Sequence, residues 1–347
     1  MHSKELLMAE IYISDNKRDK KNKMRRFWII LIALACVVAF SIAAIVISSF
    51  VKASSIMEKE GSELSPFAAN LLPDYSNVSF QTLDGQLTLR GWWLRSQTEE
   101  TRATVLLVHS QEMNRLPFGL DSVKLFDQLT EAGCNVLTFD LRSNAESDGS
   151  MSSFGYMEAD DVLAALAYVE SLAPEHPIIL YGIGSGTTAA FRAMSYLDEI
   201  YADENKKADA IDLGLPHPLR ISGLILDTPA RSSDDFIAAE MALEDSLGRY
   251  FFPRTVPLAI RLSAGNKEKQ DYLQYLSQLT IPVLLLGHEH DSLLAESAYL
   301  PLWVERERIH PTLTQSFKAK GSGHITAFAS DSNNYSKAVQ DFINDWY

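Results

Sequence analysis

Cysteine is nearly absent: the 347 residues hold two, Cys36 inside an uncharged apolar run and Cys134 in the globular part. Two cysteines so placed form no disulfide framework, so folding must rely on core burial, which a globular part of roughly 280 residues can supply. Positive charge is also scarce, with 31 Lys and Arg against 45 Asp and Glu and a net charge of -14. Residues 1–26 hold eight Lys/Arg against four Asp/Glu, a surplus of four, so the remainder carries -18. A part that acidic repels polyanions, which excludes nucleic acid as a partner. Internal repeats and low-complexity runs are missing as well. The most telling lack is a single hydroxyl, the one expected at the centre of the turn Gly182-Ile183-Gly184-Ser185-Gly186.

One long hydrophobic run is present. Phe27 to Val51 is 25 residues without a charge, roughly 37 Å as a helix against a hydrocarbon core of about 30 Å. A cleaved signal peptide has an apolar region of about 7 to 15 residues, so the run reads as an uncleaved transmembrane helix. Lys17, Arg18, Lys20, Lys21, Lys23, Arg25 and Arg26 precede it, whereas Lys52 and Lys59 follow beside Glu58 and Glu60. This bias places a basic tail, residues 1–26, in the cytoplasm and the rest outside the plasma membrane as a single-pass protein. Membrane contact is therefore expected through residues 27–51.

Residues 52–77 are polar and contain proline, which suggests a stalk. From Val78 the pattern changes. Val78 to Leu83 and Leu87 to Leu94 alternate as a hairpin about Asp84-Gly85. Short apolar strands follow at Ala103 to Val108, Val136 to Phe139, Pro177 to Tyr181, Ile221 to Leu226, Pro282 to Leu286 and Leu313 to Phe317. Amphipathic stretches separate them near 121–132, 156–172, 186–199, 234–246, 268–279 and 296–305, with a last one at 334–346. The alternation predicts an α/β domain over 78–347 with a mostly parallel sheet and helices on both faces. Asp198 to Leu219 reads as a surface loop, and 232–279 as a small cap insert over the site.

The chemistry centres on the turn after the strand ending at Tyr181. A Gly-x-Ser-x-Gly elbow lifts a nucleophile above the sheet, and its flanking glycines let strand and helix approach. Here Gly182 and Gly186 flank Gly184, a vacant nucleophile position, with Ser185 one step late as the fallback nucleophile. A glycine there also relieves a strained φ > 0. The order nucleophile, acid, histidine is completed by Asp291, after the strand Pro282 to Leu286, and His324 in Gly321-Ser-Gly-His324. These two are expected to hydrogen-bond at the carboxyl edge of the sheet. The backbone N–H groups of Ser185 and Gln111 are the expected oxyanion donors. His288, Glu289, His290 and Asp291 have metal-donor types but lack the His-x-His-x-Asp-His spacing, so no metal and no cofactor are expected.

The segments Phe80-Gln-Thr-Leu-Asp-Gly85, Thr104-Val-Leu-Leu-Val-His109, Phe139-Asp-Leu-Arg142, Leu180-Tyr-Gly182, Leu226-Asp227 and Gly321-Ser-Gly-His324 carry a resemblance. From Asp74 to Tyr347 the chain resembles bacterial membrane-anchored α/β-hydrolases of the serine aminopeptidase S33 and BEM46-like group. The resemblance implies an α/β-hydrolase fold and serine-hydrolase ancestry, with Asp291 and His324 matching the family's acid and base. The chain departs from the pattern at the chemistry: His109-Ser110 for His-Gly, Arg142-Ser143-Asn144-Ala145 for Arg-Gly-x-Gly, Gly287-His288 for His-Gly, and Gly184 for the serine. Three functions stay open. One is a binding or scaffold protein for a small-molecule or protein ligand, its hydrolase activity lost or reduced. The second is an active hydrolase of small esters or peptides using Ser185 or a water activated by His324 and Asp291. The third is cofactor-free lyase chemistry with His324 as base.

Overall fold

The computed structural model describes residues 2–347, with side chains at Met8 and from Arg18 onward. Most side chains of the tail expected in the cytoplasm, that of Lys17 included, therefore lie outside the description. The chain divides into two units, Met1–Val51 and Lys52–Tyr347. The first is helical from His2, within α1 (His2–Met57), and contains the uncharged run, long and apolar enough to cross a membrane.

The second unit is an α/β-hydrolase fold. Its eight strands are β1 (Tyr75–Gln81), β2 (Thr88–Leu94), β3 (Ala103–Val108), β4 (Cys134–Phe139), β5 (Ile178–Ile183), β6 (Ile221–Asp227), β7 (Val283–Asp291) and β8 (Thr314–Gly323). They lie in the order β1-β2-β4-β3-β5-β6-β7-β8. The pairs β1/β2 and β2/β4 are antiparallel and all others are parallel. The helices of this unit after α1 are α2 (Ser122–Glu131), α3 (Glu158–Leu172), α4 (Ser185–Ala202), α5 (Lys207–Asp212), α6 (Ser233–Ala242), α7 (Phe252–Ser263), α8 (Tyr272–Gln278), α9 (Glu296–Ile309), α10 (Ala327–Ser330) and α11 (Ser332–Trp346). Strand alternation sorts the core into two layers. In β3, Leu106 and Val108 pack with Val162 of α3 and Ala189 of α4, whereas Val105 and Leu107 pack with Phe126 of α2 and Phe342 of α11. Both faces of the sheet are thus covered, which is why the central strands are apolar without a break.

Three segments differ from the sequence expectation. The stretch 52–77 is not a free stalk: Ala53, Ile56 and Met57, spaced as one helical face, are buried among Phe236, Met241 and Val256 of the cap. Its last residues already belong to β1. Asp198–Leu219 is not a bare loop, since α4 continues to Ala202 and α5 follows. Ala210 and Leu215 join the core there, and the Tyr201 hydroxyl donates to the Leu215 carbonyl at 2.7 Å. In the cap, α6 ends at Ala242 and α7 is an additional helix; its first turn holds Pro253, where no N–H is needed. Pro257 further along obscures the helical pattern in the sequence.

Candidate active site

β5 ends at Ile183, Gly184 turns the chain with φ +52° and ψ -123°, and α4 starts at Ser185. This is the strand-turn-helix elbow. Gly186 is required by close approach, because a Cβ there would lie 2.2 Å from the Val108 carbonyl oxygen. At Gly184 the constraint is double. Its φ is in the left-handed region, and an ideal Cβ would stand 2.5 Å from both Ser110 Oγ and Ile325 Cδ1 and 2.9 Å from Ser110 Cβ. The space that any side chain at residue 184 would need is therefore filled by two neighbours.

The two N–H groups expected as oxyanion donors are also engaged. Gln111 N–H donates to Ser185 Oγ at 2.8 Å, and Ser185 N–H donates to Ser110 Oγ at 3.2 Å. The two hydroxyls lie 3.2 Å apart, so a closed set of contacts runs through Ser110, Gln111 and Ser185. Ser185, buried at the helix start, faces the loop after β3, and His324 is not among its partners. The loop itself is held firmly. The Gln111 amide donates to Ser152 Oγ and accepts from Phe154 N–H at 3.1 Å. His109 is buried, which lowers its pKa; its Nε2 accepts from Leu141 N–H at 3.0 Å while Nδ1 meets the Ser110 carbonyl at 2.8 Å. That pattern fixes a neutral ring with the proton on Nδ1.

Asp291 and His324 meet as the order of elements requires. His324 Nδ1 lies 2.9 and 3.0 Å from the two Asp291 carboxylate oxygens, and Leu293 and Leu294 N–H donate to Oδ1 at 2.8 and 2.6 Å. The carboxylate is thereby oriented and the imidazole leaves Nε2 free of hydrogen bonds among the described residues. Phe236 of the cap sits 6.1 Å from the His324 ring. Of the other potential metal donors, His288 Nε2 is 3.0 Å from Thr326 Oγ1, and exposed His290 lies 4.0 Å from Glu296. Behind the site, buried Asp227 at the end of β6 accepts from the Tyr335 hydroxyl and Thr228 Oγ1, both at 2.8 Å. Burial raises its pKa, and the Tyr335 bond opposes that rise.

Backbone strain gathers here. Among the described non-glycine residues, positive φ occurs at Glu112, Ser143, Ala145, Phe154, Thr228 and Ile325, all in loops around the carboxyl edge, and otherwise at Asn266. Ser143 and Ala145 stand where the resembled family has glycines. Ala145→Gly should therefore raise stability by up to about 1 kcal/mol, as read by urea denaturation, because the exposed methyl is held at φ +40°.

Sequence reasoning missed the filling of the elbow by Ser110 and Ile325, and it missed Glu240. On α6, Glu240 is pushed up to about 7 by burial first and by Glu112 next, against the pull of Lys59, His324 and Lys52. With the folded value above the unfolded one, the native state binds the proton more tightly. Stability contributed by this group is present at low pH and is lost as pH rises from about 4.5 to about 7. Glu240→Gln should accordingly be more stable than wild type above about pH 7, by on the order of 2 kcal/mol, and the difference should vanish near pH 4.5 in thermal melts.

The domain has recognisable relatives. Solved structures of the Pyrococcus furiosus esterase Pf2001 superpose with TM-scores of 0.60 and 0.61 at 19% and 18% identity, covering 84% and 83% of this chain and 98% and 99% of theirs. The esterase RhEst1 from Rhodococcus superposes at 0.53 with 17% identity, over 78% of this chain and 100% of that one. These likenesses establish the fold. The uncharacterized Bacillus subtilis protein YqkD is 23% identical over 247 residues, 71% of this chain and 72% of that protein. Residues 105–334, more than half of the chain and including the elbow, Asp291 and His324, match the Alpha/beta hydrolase family, and the chain belongs to it.

Proposed function

We propose that this is a membrane-anchored, single-pass α/β-hydrolase-fold protein of the serine aminopeptidase S33 and BEM46-like kind that is silent in serine hydrolysis and binds a small-molecule or protein ligand at the envelope. One observation carries the reading: the nucleophile place is a glycine whose side-chain space Ser110 and Ile325 occupy, while Ser185 and Ser110 hydroxyls satisfy both oxyanion donors. A missing hydroxyl alone would leave a cavity for substrate. Here neighbouring groups have closed on it, and an acyl oxygen would have to displace two hydrogen bonds before it met a donor.

The wild-type chain should resist a fluorophosphonate probe, with no adduct at Ser110 or Ser185 by peptide mass spectrometry. An adduct at either serine, lost on its replacement by alanine, would overturn the silent reading. A second reading has support from the intact His324–Asp291 pair, whose free Nε2 can take a proton from water and contribute about 10² to 10⁴ as a general base. Turnover of a small ester that disappears in His324→Ala while the probe still finds no serine would favour it.

The basic flank before Phe27 motivates the topology. Single cysteines introduced after Lys52 should react with an impermeant maleimide on intact cells, and one introduced before Arg26 should not. Native Cys134 will not interfere, since it is buried and its thiol is pushed up to about 12. The reverse labelling pattern removes the localisation.

A further inference from the structure

The cap carries an apolar surface that faces no other part of its unit. Leu243, Leu247, Tyr250, Leu258 and Leu262 are 70%, 80%, 64%, 48% and 44% exposed. The sequence explains the geometry of α7: Val256, Ala259 and Ile260 point into the cap cluster, while Arg254, Leu258 and Leu262 recur every four residues on the opposite face. Leu247 and Tyr250 belong to the 3-10 turn just before that helix.

We infer that this face docks on the lipid bilayer in which the chain is anchored. The inference rests on the anchoring reading above and adds the orientation of the domain. Two observations name lipid as the occupant. The first is the tether. The uncharged run ends at Val51, and Ala53, Ile56 and Met57 are buried in the same cluster as Val256, Ala259 and Ile260. Two residues span at most about 7 Å, comparable to the headgroup layer on one side of a bilayer, so the tether between the uncharged run and the cap core is short. The second is charge. Across the face, Leu243 to Leu262 holds Arg249, Arg254 and Arg261 against Glu244, which is paired with Lys52, and exposed Asp245, a net basic stretch in a part of the chain that is otherwise strongly acidic. Arg261 turns to Asp234 at 3.5 Å, whereas Arg249 and Arg254 are exposed beside Tyr250. Apolar side chains flanked by arginine and tyrosine match an interface of acyl chains below anionic headgroups.

The test uses the full chain, with Cys36→Ala, in phosphatidylcholine–phosphatidylglycerol vesicles. An environment-sensitive fluorophore is attached through Leu258→Cys, Leu247→Cys or, as a control on α9, Leu300→Cys, and lipid bearing a nitroxide serves as quencher. Emission at 258 and 247 should shift to the blue and lose most of its intensity to the quencher, and emission at 300 should stay unquenched. Quenching at 258 should weaken when Arg249→Gln and Arg254→Gln are combined. A fluorophore on native Cys36 reports the anchor separately. Quenched Cys36 with unquenched 258 and 247 overturns the docking face and leaves the anchor standing. Unquenched Cys36 overturns both. A blue shift at 258 without quenching, in a chain that sediments as a dimer, assigns the face to a second copy and overturns the lipid assignment.

Discussion

Gly184→Ser combined with Ser110→Gly should convert a probe-resistant chain into one that a fluorophosphonate labels at the introduced serine. The single change should not suffice. Alone, Gly184→Ser places a Cβ at φ +52° and 2.5 Å from Ser110 Oγ and Ile325 Cδ1. Backbone strain of about 1 to 3 kcal/mol and overpacking of a similar size should together lower stability by about 2 to 6 kcal/mol. Removing the Ser110 side chain should restore roughly 1 to 3 kcal/mol of that loss and release Ser185 N–H for an oxyanion. Loss of a triad nucleophile costs on the order of 10⁶ in kcat in the subtilisin series, so even a poorly aligned replacement leaves a wide range in which a gain can be read. Ser185→Ala, added third, frees Gln111 N–H and should increase labelling again. A folded triple variant that remained inert would show that refilling the elbow and opening the donors do not recreate the chemistry, and the elbow explanation would fall.

Asp161→Ala should destabilise the domain by about 3 to 5 kcal/mol in urea titrations. Asp161 is fully buried and receives Arg142 N–H at 2.9 Å, Nε at 2.9 and 3.0 Å and Nη2 at 2.6 Å. Removing the carboxylate leaves a buried guanidinium and a buried amide without partners, and the desolvation already spent on them is no longer offset. The double change Asp161→Leu with Arg142→Met should cost less than Asp161→Ala alone, since it removes both charges and keeps the volume. The same pair holds the strained loop through Ser143 and Ala145 beside the site, so the single variant should also expose that loop to proteolysis. Equal losses in the single and double variants would mean that packing, and not the unpaired charge, sets the cost.

The sequence by itself determined the α/β rhythm, the apolar amino-terminal helix, the strand-turn-helix at Gly184 and the pairing of Asp291 with His324. Each is a short-range pattern or an order of elements: alternation and apolar runs fix strands, and Gly182 and Gly186 report the close approach of strand and helix whatever lies elsewhere. The lead-in at 52–77 escaped because its three core residues, Ala53, Ile56 and Met57, find their partners about 180 to 200 residues later in the cap. Helix α7 escaped because two prolines mask a pattern that tertiary packing nonetheless holds. At the site, the sequence put Gly184 in the turn where a serine was expected, but only the folded chain decided that Ser110 and Ile325 crowd the space a side chain would need there. Ser110 and Ile325 are 74 and 141 residues away from Gly184, and whether they fill its side-chain space is a matter of ångströms between three loops. Local sequence specifies which atoms each loop carries; the distances between loops are set by how the two core layers pack on the sheet that supports them all.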